Sequence, residues 1–176
     1  MHNKVTKLKV RYPEGWEPTL VVPQVYQPHR FVIGRPGENT LLVVAMNPSR
    51  AADDFSDRTV NKIIKTAGSL GYDGWMVMNT YPERSTDAGN LGPFSPELIE
   101  QNIAHLKDIV AAHNITEVWG AWGDPKHDNL RLGATAIRNA LDELAVKIFY
   151  FGNITLLGNP RHPLYLKIDG NDKKYL

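Results

Sequence analysis

Leu41-Leu-Val-Val-Ala-Met-Asn-Pro-Ser49 decides how this chain folds. Leu41 to Met46 is an aliphatic run with no polar alternation, the pattern of a parallel strand covered on both faces. Pro48 forbids further ladder pairing, biases Asn47 away from helical backbone and fixes where its amide points. In open parallel sheets ligands bind beyond the carboxyl ends of the strands, which puts Met46, Asn47, Pro48 and Ser49 where chemistry is expected. The alternative is that Asn-Pro-Ser is simply a turn.

Working outward, the run is followed by a polar loop, Arg50-Ala-Ala-Asp-Asp-Phe-Ser-Asp-Arg-Thr59, with Ser56 or Asp57 as candidate cap of a helix carrying Val60, Ile63, Ile64 and Ala67 on one face and ending at Gly68 and Gly71. Trp75-Met-Val-Met-Asn79 reads as a second buried strand, again ending in asparagine. Ser95 and Pro96 open a helix with Ile99, Ile103, Leu106 and Val110 at helical spacing. Thr116-Glu-Val-Trp-Gly-Ala-Trp122, a helix through Leu130, Ala134, Ile137, Leu141 and Leu144, and Lys147-Ile-Phe-Tyr-Phe151 continue the alternation. Of Trp119 and Trp122, one is expected in the core and the other near the pocket. Regular strand-helix alternation predicts an α/β protein, a three-layer α/β/α sandwich around a central four-stranded parallel sheet. Residues 38–166 form this core; the proline-interrupted residues 1–37 read as edge strands or an arm, and Lys167 to Leu176 as a polar tail that frays.

The 176 residues suggest a single domain, long enough to bury a core without staples. A net charge of +1 means that any nucleic-acid contact must come from a local patch. With no cysteine there are no disulfides, thiolate nucleophiles or Cys-based zinc sites, and the six histidines show no ligand spacing. No glycine-rich phosphate loop follows the first strand, which argues against nucleotide hydrolysis and hydride transfer. Neither a metal nor a cofactor is expected. The first residues lack an apolar signal core and no run is long enough to span a membrane, so a cytoplasmic monomer is the expectation.

Four strand-end loops converge in this topology: Asn47-Pro-Ser49, Met78-Asn-Thr80, Trp122-Gly-Asp124 and Arg161-His-Pro-Leu-Tyr165. Their order and chemistry resemble the uracil-DNA glycosylase superfamily. Ala45-Met-Asn-Pro-Ser49 resembles its water-positioning motif, Val77-Met-Asn-Thr80 its base-reading asparagine, Gly120-Ala-Trp-Gly123 a further strand end, and His162-Pro-Leu-Tyr-Leu166 its His-Pro-Ser-x-Leu loop. Leu164 stands where that loop has serine, the first motif lacks its leading glycine, and Phe55 is the nearest candidate for the aromatic that stacks on a base. From about Phe31 onward the chain is also similar to family 1643 of the domains of unknown function, through Asn47-Pro-Ser49, Asp57-Arg-Thr59, Arg84-Ser-Thr-Asp87, Ala121-Trp-Gly123 and Pro160-Arg-His-Pro-Leu-Tyr165.

The glycosylase resemblance implies a protein that hydrolyses the N-glycosidic bond of a base or modified base in DNA, or binds such a base. Excision needs the nucleotide out of the stack, a pocket that reads its edge, a placed water and a donor to the departing base. Asn47 and His162 are the catalytic candidates; Asn47 orients water but takes no proton, which predicts slow hydrolysis or an activated leaving group. Asn79 offers donor and acceptor to a base edge, with Met46, Pro48, Ser49, Phe55, Trp122, Gly123, Leu164 and Tyr165 as further substrate contacts. Arg50, Arg58, Arg84 and Arg161 are candidates for phosphate or DNA, or for pairing with Asp53, Asp54, Asp57 and Asp87, at least one such pair being structural. Each asparagine has a local backbone role as its alternative, and His162 a structural one. The rival functions are a non-catalytic nucleotide or nucleic-acid binding module and a hydrolase of a free nucleoside or small metabolite.

Overall fold

In the computed structural model, which describes residues 9–176, the strands are β1 (Leu20–Val22), β2 (Val32–Arg35), β3 (Thr40–Ala45), β4 (Gly74–Asn79), β5 (Glu117–Gly120), β6 (Lys147–Tyr150) and β7 (Lys174–Tyr175). They form one seven-stranded mixed sheet in the order β1-β2-β4-β3-β5-β6-β7. The aliphatic run is thus its middle strand, and all six residues of β3 are buried. β4, β3, β5 and β6 run parallel to one another. The sheet nevertheless does not stop at four strands. β2 pairs antiparallel with β4 and β1 with β2, so the segment that reads as edge strands or an arm supplies two antiparallel strands of the sheet; its residues 1–8 lie outside the described residues.

The tail is likewise structured rather than frayed. β7 pairs antiparallel with β6, and Glu117 takes the Lys173 ammonium and, at 2.8 Å, the Tyr175 hydroxyl. Burial alone would push the Glu117 carboxyl up, yet these bonds hold it below its usual range. Charge-assisted bonds to a half-buried carboxylate are stronger than neutral ones, and they tie down a segment whose composition reads as loop.

Helices α1 (Arg58–Ser69), α2 (Pro96–Ala112) and α3 (Asp128–Glu143) cover the two faces. Asp57 caps α1 by accepting the Val60 amide, and Ser95 caps α2 ahead of Pro96. α1 lays Val60, Ile63, Ile64 and Ala67 on the face that carries Leu41, Val43, Ala45, Trp75 and Val77. α2 and α3 lay Leu106, Ile109, Ile137 and Leu141 on the opposite face, against Leu42, Val44, Met76 and Met78. This explains the missing alternation: β3 and β4 bury both faces, each large aliphatic contributing roughly 1.5–3 kcal/mol. Among the described residues no helix is long and apolar enough to cross a membrane.

Candidate functional site at the carboxyl ends of the parallel strands

β3 is flanked by β4 on one side and β5 on the other, and its exit loop turns to α1 while theirs turn to α2 and α3 on the other face. Loops that diverge in this way leave a crevice at the strand ends. Two cavities occupy it.

The inner one, about 190 Å³, lies on the α1 face, with Ala45, Val77 and Asn79 from the strands and Asn47 and Asp57 from the loop ahead of α1 among its lining. Asn79 is 2% exposed. Thr80 and Tyr81 hold the exits of β3 and β4 together, the Thr80 hydroxyl donating to Met46 O at 2.6 Å and the Tyr81 amide to the same carbonyl at 3.3 Å. From the far side, Asn102 of α2 donates its side-chain amide to Asn79 O at 2.7 Å. The Asn79 Oδ1 is buried and has no partner among the described residues. A stranded buried acceptor costs roughly 1–3 kcal/mol, so it is a place to look for a ligand donor.

Asn47 lines the same cavity. Its Nδ2 donates to Ser85 O at 2.8 Å, tying the β3 exit to the β4 exit loop. This is a long-range backbone bond rather than the local turn that is the alternative for this residue, and it fixes the amide so that Oδ1 is the atom left to accept from a water or ligand.

His162 forms a common wall between the inner cavity and an outer one of about 570 Å³, together with Met46 and Thr86. Gly123, at φ +68, takes the left-handed conformation that leaves β5 and donates its amide to Pro160 O at 2.7 Å, which brings the Arg161-His162 segment against the strand end. The His162 Nδ1 accepts the Leu164 amide at 3.3 Å. That bond places the neutral ring's proton on Nε2, leaving a donor without a partner among the described residues. Burial pushes the imidazole below its ordinary value, with the Asp57 carboxylate partly opposing.

The outer cavity also contains Gly123, Leu164, Tyr165 and Arg161. Asp124 and Thr155 line it as well, the Asp124 carboxylate accepting from the Thr155 hydroxyl at 2.5 Å and from the Asn159 amide at 2.9 Å. These bonds hold its carboxyl below the usual range.

Several expected site residues are elsewhere. Trp122 lines neither cavity: it is 1% exposed in the α2/α3-side core, and its Nε1 donates to Asn159 Oδ1 at 3.2 Å. Trp119 is 0% exposed on the opposite face, so both indoles are core. Phe55 lies outside the inner cavity, beneath the Lys9 ammonium at 4.8 Å. Pro48 is buried and accepts the Ser85 amide at 2.9 Å, so its part is to hold the corner. Among the described residues Arg50, Arg58, Arg84 and Arg161 form no ion pair, contrary to the expected aspartate pairing. Asp54 takes Lys9 instead, Asp57 caps α1, and Arg161 donates to Asn153 O. Arg50, Arg58 and Arg161 are exposed.

Two charged residues lining the inner cavity fall outside the site read from the sequence. Asp57 lines the inner cavity while accepting the Val60 amide at 2.8 Å and the Ser49 hydroxyl at 3.2 Å. Its signal was in the sequence, in Asp57-Arg-Thr59, but was read as a cap. Arg30, 2% exposed, also lines it. It enters from the segment before β2, which antiparallel pairing lays beside β4, and no local pattern announces it.

Fold and site together define an α/β protein with a polar cavity at the carboxyl ends of parallel strands. The chain belongs to a family of proteins of unknown function (DUF1643), matched over residues 30–164, a span from Arg30 through the His162 loop. No curated protein and no solved structure matches it.

Proposed function

We propose that the protein is a DNA glycosylase-like enzyme that receives one nucleobase in the inner cavity and cleaves its N-glycosidic bond with water. The observation that carries this reading is the buried, unpartnered Asn79 Oδ1 in a cavity shared with Asn47, Asp57 and His162. An acceptor stranded there suits a ring N–H, and the side chain's own amide suits the adjacent carbonyl. At about 190 Å³ the space is below the roughly 300–1,000 Å³ of drug-sized sites, which favours one ring system over a whole nucleotide.

Asn47 Oδ1 orients the attacking water. Asp57 supplies the carboxylate that Asn47 lacks and takes the water's proton, so the slow hydrolysis expected from an asparagine alone no longer follows. The His162 Nε2–H donates to the base as negative charge develops on it. The four strand-end motifs that resemble those of uracil-DNA glycosylases support the same assignment, and with it a uracil-DNA glycosylase-like fold.

The test is a screen of the purified protein on single- and double-stranded oligonucleotides carrying uracil, mismatched and hypermodified bases. Abasic product supports the reading. Salt-sensitive binding without product identifies a non-catalytic module, and neither outcome with any substrate points to a small metabolite.

A further inference from the structure

We infer that Arg30 and Arg84 form an anion site beside the inner cavity, which takes a phosphate of the nucleotide whose base the cavity receives. The identification as a nucleotide phosphate rests on the proposed function; the anion site itself does not. Both guanidiniums converge on one backbone carbonyl: Arg30 Nη1 donates to Ala51 O at 2.5 Å and Arg84 Nη1 to the same atom at 3.3 Å. Arg84 Nη1 also reaches Ser49 O at 3.4 Å. Each guanidinium carries five N–H groups, yet among the described residues only these Nη1 atoms bond to protein. The Nε atoms of both are buried and unpartnered.

The charge is unbalanced as well. Arg30 is 2% exposed, and neither arginine has an ion-pair partner among the described residues. Asp57 is the nearby carboxylate, but its oxygens already hold the Val60 amide and the Ser49 hydroxyl. The Tyr12 hydroxyl donates to Ala52 O at 2.5 Å and, with burial pushing its proton affinity up, stays neutral. Tyr26 lies 4.4 Å beneath the Arg84 guanidinium, holding it by a cation–π contact that leaves the N–H edge free. Burial and the like charge of Arg84 lower Arg30 to about 10, still charged at neutral pH. A buried guanidinium set beside a half-buried one, with no carboxylate bonded to either among the described residues, is costly, and a bound phosphate offsets that cost through bidentate bonds.

The location fits. Arg30 lines the inner cavity, Arg84 lines a neighbouring one with Tyr26 and Arg50, and Ser49, Ser85 and Thr86 line both. A base in the first cavity and a phosphate at its boundary with the second, between Arg30 and Arg84, are thus compatible with a single ligand.

The experiment is calorimetric titration of the full chain, at fixed ionic strength, with inorganic phosphate, the common 2′-deoxynucleosides, their 5′-monophosphates and short single-stranded oligonucleotides. We expect saturable binding of inorganic phosphate, and monophosphates binding about tenfold or more tighter than the nucleosides, with Arg84→Gln erasing both. Arg84→Gln is used because Arg30→Gln risks misfolding, and thermal melting checks that it is folded. Preference for oligonucleotides over mononucleotides, lost in Arg84→Gln, assigns the phosphate to a strand backbone, and the reverse preference assigns it to a free nucleotide. Phosphate binding that depends on Arg84, with no nucleoside bound, keeps the anion site and removes the base reading. Nucleosides binding as tightly as their monophosphates, with no saturable phosphate binding to the wild type, overturns this inference and leaves the base reading standing.

Discussion

The side-chain amide of Asn102 donates to the backbone carbonyl of Asn79 at 2.7 Å, so the carbonyl of this strand-end residue is satisfied from the far face while its side-chain Oδ1 remains buried and unpaired. Stability and function then separate at two atoms of one residue. Replacing Asn79 by leucine removes the stranded acceptor, and the folded state is expected to be unchanged or up to about 1 kcal/mol more stable. Nucleobase binding by the same variant should fall about tenfold or more. Asn102→Ala should instead lose roughly 1–3 kcal/mol by stranding the carbonyl. Denaturant melts and calorimetry on the two variants check the contrast.

His162 has a structural duty as well as the proposed chemical one, because its Nδ1 accepts the Leu164 amide. His162→Asn keeps a capping oxygen but loses the Nε2–H donor. It should melt within about 1 kcal/mol of wild type while turnover loses roughly 2.7–4 kcal/mol of transition-state stabilisation. A variant that melts early yet turns over normally would make the loop scaffold only.

The same residue sets a pH dependence. Folding holds the His162 ring below its ordinary value of 6.5, chiefly by burial, so the folded state resists protonation. Its contribution to stability is full above 6.5 and drains away as pH falls through the folded-state value. Protonating Nδ1 also opposes the Leu164 amide, donor against donor. The wild-type melting temperature should therefore drop relative to that of His162→Asn as pH is lowered from 7 toward 5, which a melting series on both proteins measures.

Asp57 separates in another way. Asn is about as good an N-cap as Asp, so Asp57→Asn should leave the melt within a few tenths of a kcal/mol, whereas Asp57→Ala should cost about 1 kcal/mol. If Asp57 takes the water's proton, both variants lose turnover by about 10²-fold or more. Activity retained in Asp57→Asn would reduce the carboxylate to a cap.

The sequence made the parallel core legible because β3, β4, β5 and β6 are bounded by turn residues and separated by periodic helices, and their order along the chain requires crossovers. β1 and β2 were legible only as edge strands or an arm, and β7 was not legible as a sheet member. Leu20–Val22 is aliphatic but too short to carry a period, and Lys174–Tyr175 is both short and polar; they are strands because β2 and β6 offer them edges. The same holds for the site. Asn47, Asn79 and His162 were visible because each ends a strand or follows a proline-marked corner. Arg30 was not, since it reaches the cavity through long-range antiparallel pairing. Trp122 was misplaced because a strand-end position does not say which face an indole takes, and here it packs into the core.

One packing contact fixes the distance between the β4 exit and α3. Gly133 lies so close that an added Cβ would sit 2.2 Å from Thr80 O. Since Thr80 also bonds Met46 O, Gly133→Ala should push α3 outward at a cost of roughly 1–3 kcal/mol. Loss of stability in a denaturant melt, together with weaker nucleobase binding, is the expected pair of results.

The central claim is that a nucleobase occupies the cavity between Asn47, Asn79 and His162. Its most direct test is a titration of isotope-labelled protein with free nucleobases, followed through the asparagine side-chain amide and histidine ring resonances. The account predicts that at least one base shifts the Asn79, Asn47 and His162 signals together, with one-to-one saturation, and that Asn79→Leu abolishes the effect. Shifts confined to other residues, or none with any base, would contradict it.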